Sequence, residues 1–588
     1  MIIFANLVLL FRTWDLQVLR GNEFQNLSEK NRLRDVRIVS PRGNIYDKNG
    51  TLLAYDSPSF NLYVIKEDIE DVDMELALIC ELMDYSWDRV SEMKNRLSSI
   101  SSYAEYPLIK NLTFRQVSRI ESRYSNLPGF MIKIAPLRKY DFSEAFVHVL
   151  GYMREIDKVS LESLKEYGYR TGDYFGVTGI ENSLNGILKG TDGNRIIEVD
   201  ALGREVFEIS NISPKRGNNV YLTVDKDFQM FCYGLLENYR SGSIIVMDIE
   251  KGDLLVLISK PGFDPNIFFP EVSLSEWQKL IRDPLKPLQD RSISGLYSPG
   301  SVFKTVIAFG GLSEHIITEK TSFYCGGAIN LKNRVYNCWQ SHGHGNLNVV
   351  HALAESCNVF FYQLGDRLGI DRIHKYSTMM GLGEKTGIIL PGENSGLVPS
   401  PEWKMRARNE PWYPGETISV SIGQGSLLVT PLQLAVMMGF VASEGKLIKP
   451  RLVKDIEDYR GISMENIIDP VNVRDVSEKI DVNALRIVKN GLEKVFSHQR
   501  GTARRAFIPG HQVSGKTGTS QIASLSRIPR ENIPYNLRNH NFLASFAERD
   551  DPRIVAVVFI AHGGEDGSRE RIDITKNIYR YYFENYAD

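Results

Sequence analysis

The sequence predicts an α+β chain in two units: a β-rich N-terminal unit ending near residue 215 and a larger three-layer α/β/α unit after it. Three observations carry this. Residues 140–215 are rich in glycine and short strand-like runs, and from 216 the chain begins alternating strands such as Val220 to Thr223 (VYLT) and Ser243 to Met247 (SIIVM). Long helical patterns follow around 302–312, 346–369, 428–443 and 482–497. Strand patterns return near 512–520, 541–547 and 553–561.

A length of 588 residues, 43% hydrophobic and 24% charged, has room for two or three cores and makes a single domain a poor fit. The formal net charge of -2 supplies no basic field, which excludes nucleic acid as the partner class. No repeat of fixed period is present.

In chain order, the first element is an apolar run, Ile2 to Phe11, broken by Arg12 and Asp15. It is shorter than the roughly 20 residues a bilayer-spanning helix needs. It also lacks the basic region and cleavage site of a removable signal peptide. It reads either as the start of a soluble fold or as the outer half of a membrane anchor. Residues 20–35 are polar. The stretch 41–54 (PRGNIYDKNGTLLA) carries turn chemistry at Pro41-Arg42-Gly43 and Asn49-Gly50 between short apolar stretches, a β-hairpin signature. From about 68 to 125 the spacing turns helical, with Leu76, Ile79, Cys80 and Met83 on one stripe, which makes Cys80 a core residue.

The chemistry lies in the second unit. A serine becomes a nucleophile when a base takes its proton, and a lysine three residues later on the same helical turn can do so. The S-x-x-K pattern occurs three times, at Ser91/Lys94, Ser301/Lys304 and Ser443/Lys446. The K-T-G triplet occurs at 385 and 516, and the S-x-N matches include 183 and 356. Local chemistry separates them. Ser301 follows a Tyr-Ser-Pro-Gly turn and precedes the apolar run Val302 to Phe309, so its hydroxyl sits at a helix N-terminus and Lys304 is carried into a buried setting. Burial lowers a lysine pKa, and a second cation lowers it further, which suits a general base. Ser91 and Lys94 fall on a charged, solvated face, and Ser443 falls at a helix end. Lys516 lies in Val513 to Ser520 (VSGKTGTS), a small-residue strand whose glycines allow a peptide to approach its backbone; Lys385 lies in a turn.

Ser301-Val-Phe-Lys304, Ser356-Cys-Asn358 and Lys516-Thr-Gly-Thr519 together resemble the motif set of the penicilloyl-serine transferases. The flanking PRGNIYDKNG (41–50), GVTGIE (176–181), LTVD (222–225), FDPN (263–266), YSPGSVFK (297–304), SIGQG (421–425), TPLQLA (430–435), GTA (501–503) and GKTGTSQ (515–521) look like class B penicillin-binding proteins. Residues 325–358 look more like the elongation type, penicillin-binding protein 2, than the division type. The resemblance runs from about residue 16 to about 563.

The resemblance implies a transpeptidase domain of the serine β-lactamase and penicillin-binding type at 216–588, an elongated non-catalytic pedestal at 20–215 with its helical insertion at about 68–125, and the remnant of a membrane anchor at 1–19. A misassigned start codon would account for the short anchor. The implied activity is peptidoglycan D,D-transpeptidation in cell-wall elongation, with minor carboxypeptidase activity, covalent penicillin binding and no cofactor needed for the chemistry. The implied roles are Ser301 as nucleophile, Lys304 as acylation base, Ser356 as proton relay, Asn358 as peptide holder and orienter of Lys304, and Lys516 with Thr517 as carboxylate binders. Gly518 and Thr519 complete the substrate strand, and the N–H groups of Ser301 and Thr519 form the oxyanion hole. Implied partners are stem peptides on nascent or lipid-linked glycan, β-lactams, a SEDS-type membrane polymerase, elongation-complex proteins and the inner membrane, with the catalytic unit in the periplasm. The helical insertion is a candidate contact for the polymerase. A division-type enzyme, a β-lactamase and a penicillin-sensing receptor domain are the alternatives.

Cys325, Cys338, His344 and Cys357 form C-x12-C-x5-H-x12-C, a complete tetrahedral set for structural zinc. A Cys325–Cys338 disulfide and free packed thiols compete with that reading. His344 stands between two glycines, which a ligand role explains, whereas His342 does not. Elongation-type members carry zinc here, which the resemblance adds. Because Cys357 falls inside Ser356-Cys-Asn358, a metal would brace the loop that holds both motif residues.

Overall fold

A computed structural model describes residues 2–20, 33–98, 100, 105–123, 127–199, 205–269, 272–464, 471–522, 532–549, 551 and 553–586. Most of the polar segment 20–35, and with it most of the family-like stretch 16–34, lies outside the described residues. The apolar start is a helix, Ile2–Trp14, with Phe4, Val8, Leu9, Leu10 and Phe11 exposed. Among the described residues no helix is long and apolar enough to cross a membrane.

The expected hairpin is present. Ile45–Tyr46 pairs antiparallel with the long strand Leu52–Ile65. The Asp47 carboxylate accepts from Asn49 N and Thr51 N across the turn, where Gly50 has φ +86°.

The stretch 68–125 corrects the helical expectation in one place. Helices Val72–Met83, Asp88–Ser98 and Phe114–Glu121 are joined by a strand, Glu105–Leu112, that pairs with Leu52–Ile65. The helices close a small core, with Leu76, Ile79, Cys80, Met83, Met93, Leu97 and Ile120 packed over Leu62 and Val64. A separate three-stranded sheet joins Leu33–Ile38, Gly193–Val199 and Glu205–Ile212.

Around residue 215 the backbone is continuous in hydrogen bonding. Asn219–Leu222 pairs parallel with Ile45–Tyr46 and antiparallel with Val453–Glu457, so one sheet is built from both sides of that point. A buried ion cluster sits close by, where Glu181 receives Arg42 Nε at 2.6 Å and Arg138 Nε at 2.7 Å.

The second unit is built on a five-stranded antiparallel sheet in the order Leu254–Lys260, Gly242–Asp248, Ile554–Ile560, His540–Ala547, Ser514–Ser520. Side chains alternate across it. Ile245, Met247, Val555, Val557 and Phe559 join one core, and Ile244, Val246, Ala556 and Val558 join another. The first core takes the wholly buried helix Pro431–Ala442 and the helix Lys304–Ser313. The second takes the C-terminal helix Gly564–Asn585 and Lys226–Leu235. Burial on both faces makes the three layers that the sequence predicts. The helix expected over 346–369 is instead a strand Gly345–Asn348, a short helix Val349–Ala354, a break at Glu355 to Cys357, and a helix Asn358–Leu368.

Candidate active site

Ser301 stands on a 3-10 turn, Gly300–Phe303, that runs directly into the buried helix Lys304–Ser313. Gly300 has φ +56°, and a Cβ there would lie 2.5 Å from Thr519 O, so only glycine lets this turn lie against the strand Ser514–Ser520. Among the described residues that strand is the edge of the sheet, paired with His540–Ala547, the position from which a sheet can accept an added peptide strand.

The third motif sits in the helix break. Ser356 is in the left-handed region at φ +55°, after Val349–Ala354 ends and before Asn358 opens the next helix. Its carbonyl accepts from Lys304 Nζ at 2.8 Å and from Trp339 Nε1 at 3.1 Å. Lys304 Nζ also lies 3.2 Å from Ser356 Oγ and donates to Asn358 Oδ1 at 2.7 Å. The three motifs expected to act together therefore converge, while the decoys do not. Lys94 is exposed and paired with Asp73, Ser443 closes a helix, and Lys385 lies in a loop whose next residue, Thr386, is tied to Glu393.

Charge is the site's second property. Lys304 and Lys516 are both fully buried. Burial brings Lys304 down to about 8, partly opposed by Cys357 and Cys338. Lys516 is held well below the ordinary lysine range by burial, then by Lys304 and Arg571. Among the described residues no carboxylate pairs with Lys304, Lys516 or Arg571.

Four contributors were not assigned a role from sequence. Gln424 Nε2 donates to Thr519 O at 3.2 Å, and the hydroxyls of Thr502 and Thr517 are 2.8 Å apart; both residues lie in family-like motifs, SIGQG and GTA. Trp339 holds the Ser356 carbonyl. Arg571, from the C-terminal helix, donates to Gly518 O at 2.6 Å. Arg571 had a legible signal, since it shares a stripe with the buried Thr575, Ile578 and Tyr582 and is a charge where an apolar residue is expected.

The four metal-type residues also converge. One donor atom from each of Cys325, Cys338, His344 and Cys357 lies within 4.8 Å of the others. His344 Nδ1 is 3.5 Å from Cys325 Sγ and 3.6 Å from Cys338 Sγ. All five cysteines are free thiols, so no Cys325–Cys338 disulfide is formed.

Comparison with known proteins identifies the family. Residues 242–580 match the penicillin-binding protein transpeptidase domain, and residues 37–222 match the penicillin-binding protein dimerisation domain. The chain is 32% identical to the peptidoglycan D,D-transpeptidase MrdA of Acinetobacter baumannii over 588 residues, covering 99% of this chain and 86% of that one. It is 31% identical to MrdA of Escherichia coli over 568 residues, covering 95% and 89%. A complex of penicillin-binding protein PBP2 with MreC from Helicobacter pylori superposes with a TM-score of 0.81 at 28% identity, covering 94% of this chain and all of that one. A structure described as the structural coordination of polymerization and crosslinking by a peptidoglycan synthase complex gives a TM-score of 0.72 at 27% identity, covering 100% and 98%. With two domain models matched in order and MrdA relatives 32% and 31% identical over nearly the whole chain, the chain belongs to the penicillin-binding transpeptidases, in the branch of the MrdA (PBP2) peptidoglycan D,D-transpeptidases.

Proposed function

We propose that this enzyme cross-links stem peptides during cell-wall elongation through an acyl-Ser301 intermediate. The observation that carries the reading is the buried Lys304 amine held by Ser356 and Asn358, one turn from Ser301, with no carboxylate paired to it among the described residues. Ser301 Oγ attacks the penultimate D-Ala carbonyl of the donor. Its proton passes to Lys304, and through Ser356 to the leaving nitrogen as the C–N bond to the terminal D-Ala breaks. An acceptor amine then attacks the ester, loses its proton by the reverse route and frees Ser301. The N–H groups of Ser301 and Thr519 hold the oxyanion, a contribution typically of about 10²–10³ in rate per donor. Asn358 orients Lys304 and the substrate amide, and Lys516 and Thr517 receive the terminal carboxylate. Water in place of the amine gives carboxypeptidase turnover.

Zinc fits the cluster beside this site. Tetrahedral zinc–thiolate geometry separates sulfurs by about 3.8 Å, close to what the four donors need only small shifts to reach. Cys325, Cys338, His344 and Cys357 would hold the ion, and its contribution would be structural, fixing the loop of Ser356 and Asn358.

The same reading assigns 20–215 as pedestal and 216–588 as catalytic unit, with a boundary near 215. The exposed apolar side of Ile2–Trp14 supports a place in an inner-membrane anchor, with the catalytic unit in the periplasm. The neighbour bound to MreC supports a partnership with MreC-type elongation proteins, the peptidoglycan synthase complex supports one with a glycan-polymerising partner, for which the family resemblance suggests the SEDS type, and the family supports covalent capture of β-lactams. The test is transfer: with a stem-peptide thioester donor and an amine acceptor, the chain should form cross-linked product. Donor hydrolysis alone, at every acceptor concentration, would contradict it.

A further inference from the structure

Two of the site's three buried cations belong to its motifs, and the third, Arg571, enters from the C-terminal helix. It is 5% exposed, donates from Nη1 to Gly518 O at 2.6 Å and to Thr519 Oγ1 at 3.3 Å, and leaves Nε without a partner. Two consequences follow from the chemistry of the groups. A guanidinium only donates, so the Thr519 hydroxyl accepts there and its own proton remains for another acceptor; among the described residues it has none. In a trans peptide C=O and N–H point to opposite sides, so fixing Gly518 O toward Arg571 turns Thr519 N–H away from it. That nitrogen lies at the Ser301 turn, since a Cβ on Gly300 would be 3.0 Å from Thr519 N.

We propose that Arg571 is a positioning residue that sets Thr519 as a two-donor clamp, N–H for the oxyanion and O–H for the donor's terminal carboxylate, and so enforces preference for carboxylate-terminated acyl donors. This rests on Ser301 being the nucleophile. Thr519 is the element that touches substrate; Arg571 acts through it from behind the strand, adding a positive charge that no described carboxylate neutralises.

The test measures acylation rate constants at Ser301 for benzylpenicillin and for its methyl ester, in wild type, R571M, R571K, T519V and R571M/T519V, with a melting curve for each. Arg571→Met is expected to slow acylation by penicillin roughly 10- to 100-fold, the scale of a lost charge-assisted hydrogen bond, and acylation by the ester several-fold less. In the T519V background the same substitution is expected to slow both compounds alike through the remaining Gly518 O contact, the extra loss for penicillin over its ester shrinking to less than about threefold because the hydroxyl is already gone. If R571M does not fold, R571K carries the test, and its penicillin-to-ester ratio should still fall. Equal slowing of both compounds by R571M in the wild-type background, or an undiminished penicillin-over-ester difference without the threonine hydroxyl, would overturn the proposal while leaving the nucleophile assignment intact. Failure of wild type to acylate at Ser301 would instead overturn both.

Discussion

Lys304 Nζ meets Ser356 twice, the carbonyl oxygen at 2.8 Å and the hydroxyl at 3.2 Å. The carbonyl can only accept, and so can Asn358 Oδ1 at 2.7 Å. The charged amine satisfies all three by donating to each, and the neutral amine does so by donating to the two obligate acceptors and taking the Ser356 proton, the form a relay between Lys304 and the leaving group uses.

The protonation state of Lys304 should therefore be visible in the rate. With its pKa lowered to about 8 by burial, acylation of Ser301 should rise with pH through about 8 and level off above it. Lys304→Ala should lose roughly 10²–10⁴ in rate and the ascending limb with it. The same shift has a stability sign. Between about 8 and roughly 10.4 the unfolded chain binds more protons at this lysine than the folded one, so this group's contribution makes stability rise with pH across that window. Stopped-flow acylation and chemical denaturation against pH check both.

Ser356 separates strain from chemistry. Its φ of +55° disfavours any side chain, and its hydroxyl is the relay. Ser356→Ala and Ser356→Gly should lose acylation alike, while the glycine variant is the more stable of the two by about 1 kcal/mol, because glycine has no Cβ penalty there. Rates and denaturation midpoints of the pair decide it.

Gly300→Ala should damage fold and activity together, since the new Cβ would meet Thr519 O at 2.5 Å and φ is +56°. A lower melting temperature and at least a tenfold fall in penicillin labelling are expected at a buried overlap of this kind.

The Cys325, Cys338, His344 and Cys357 cluster should hold one zinc per chain by elemental analysis. Chelation should lower the melting temperature and expose the thiols to alkylation. Cys357→Ser should release the metal and slow acylation through the loop of Ser356 and Asn358.

Much of this was legible before any coordinates. Three layers followed from alternating strands and apolar helices, and Ser301, Lys304 and Lys516 were singled out by motif chemistry once the decoys at 91, 443 and 385 were weighed by their surroundings, while Ser356 and Asn358 entered with the family resemblance. The strand Glu105–Leu112 was not legible, because it exists through pairing with the distant Leu52–Ile65 and carries no local signal against the helices around it. The helix break at Ser356 was hidden for a similar reason. No glycine or proline marks it, and the turn is held by Lys304 and Trp339, both remote in sequence. Arg571 was overlooked because one charge on a long apolar stripe looks like an interruption until the strand it faces is known.

Fluorescent penicillin with mass-spectrometric location of the adduct, on the chain and its Ser301→Ala variant, is the deciding measurement. A stable adduct at Ser301 that the variant lacks is the expected result, and it would fix both the nucleophile and slow deacylation. No adduct on folded wild type, or an adduct at another residue, would contradict the assignment of Ser301 and every role built around it.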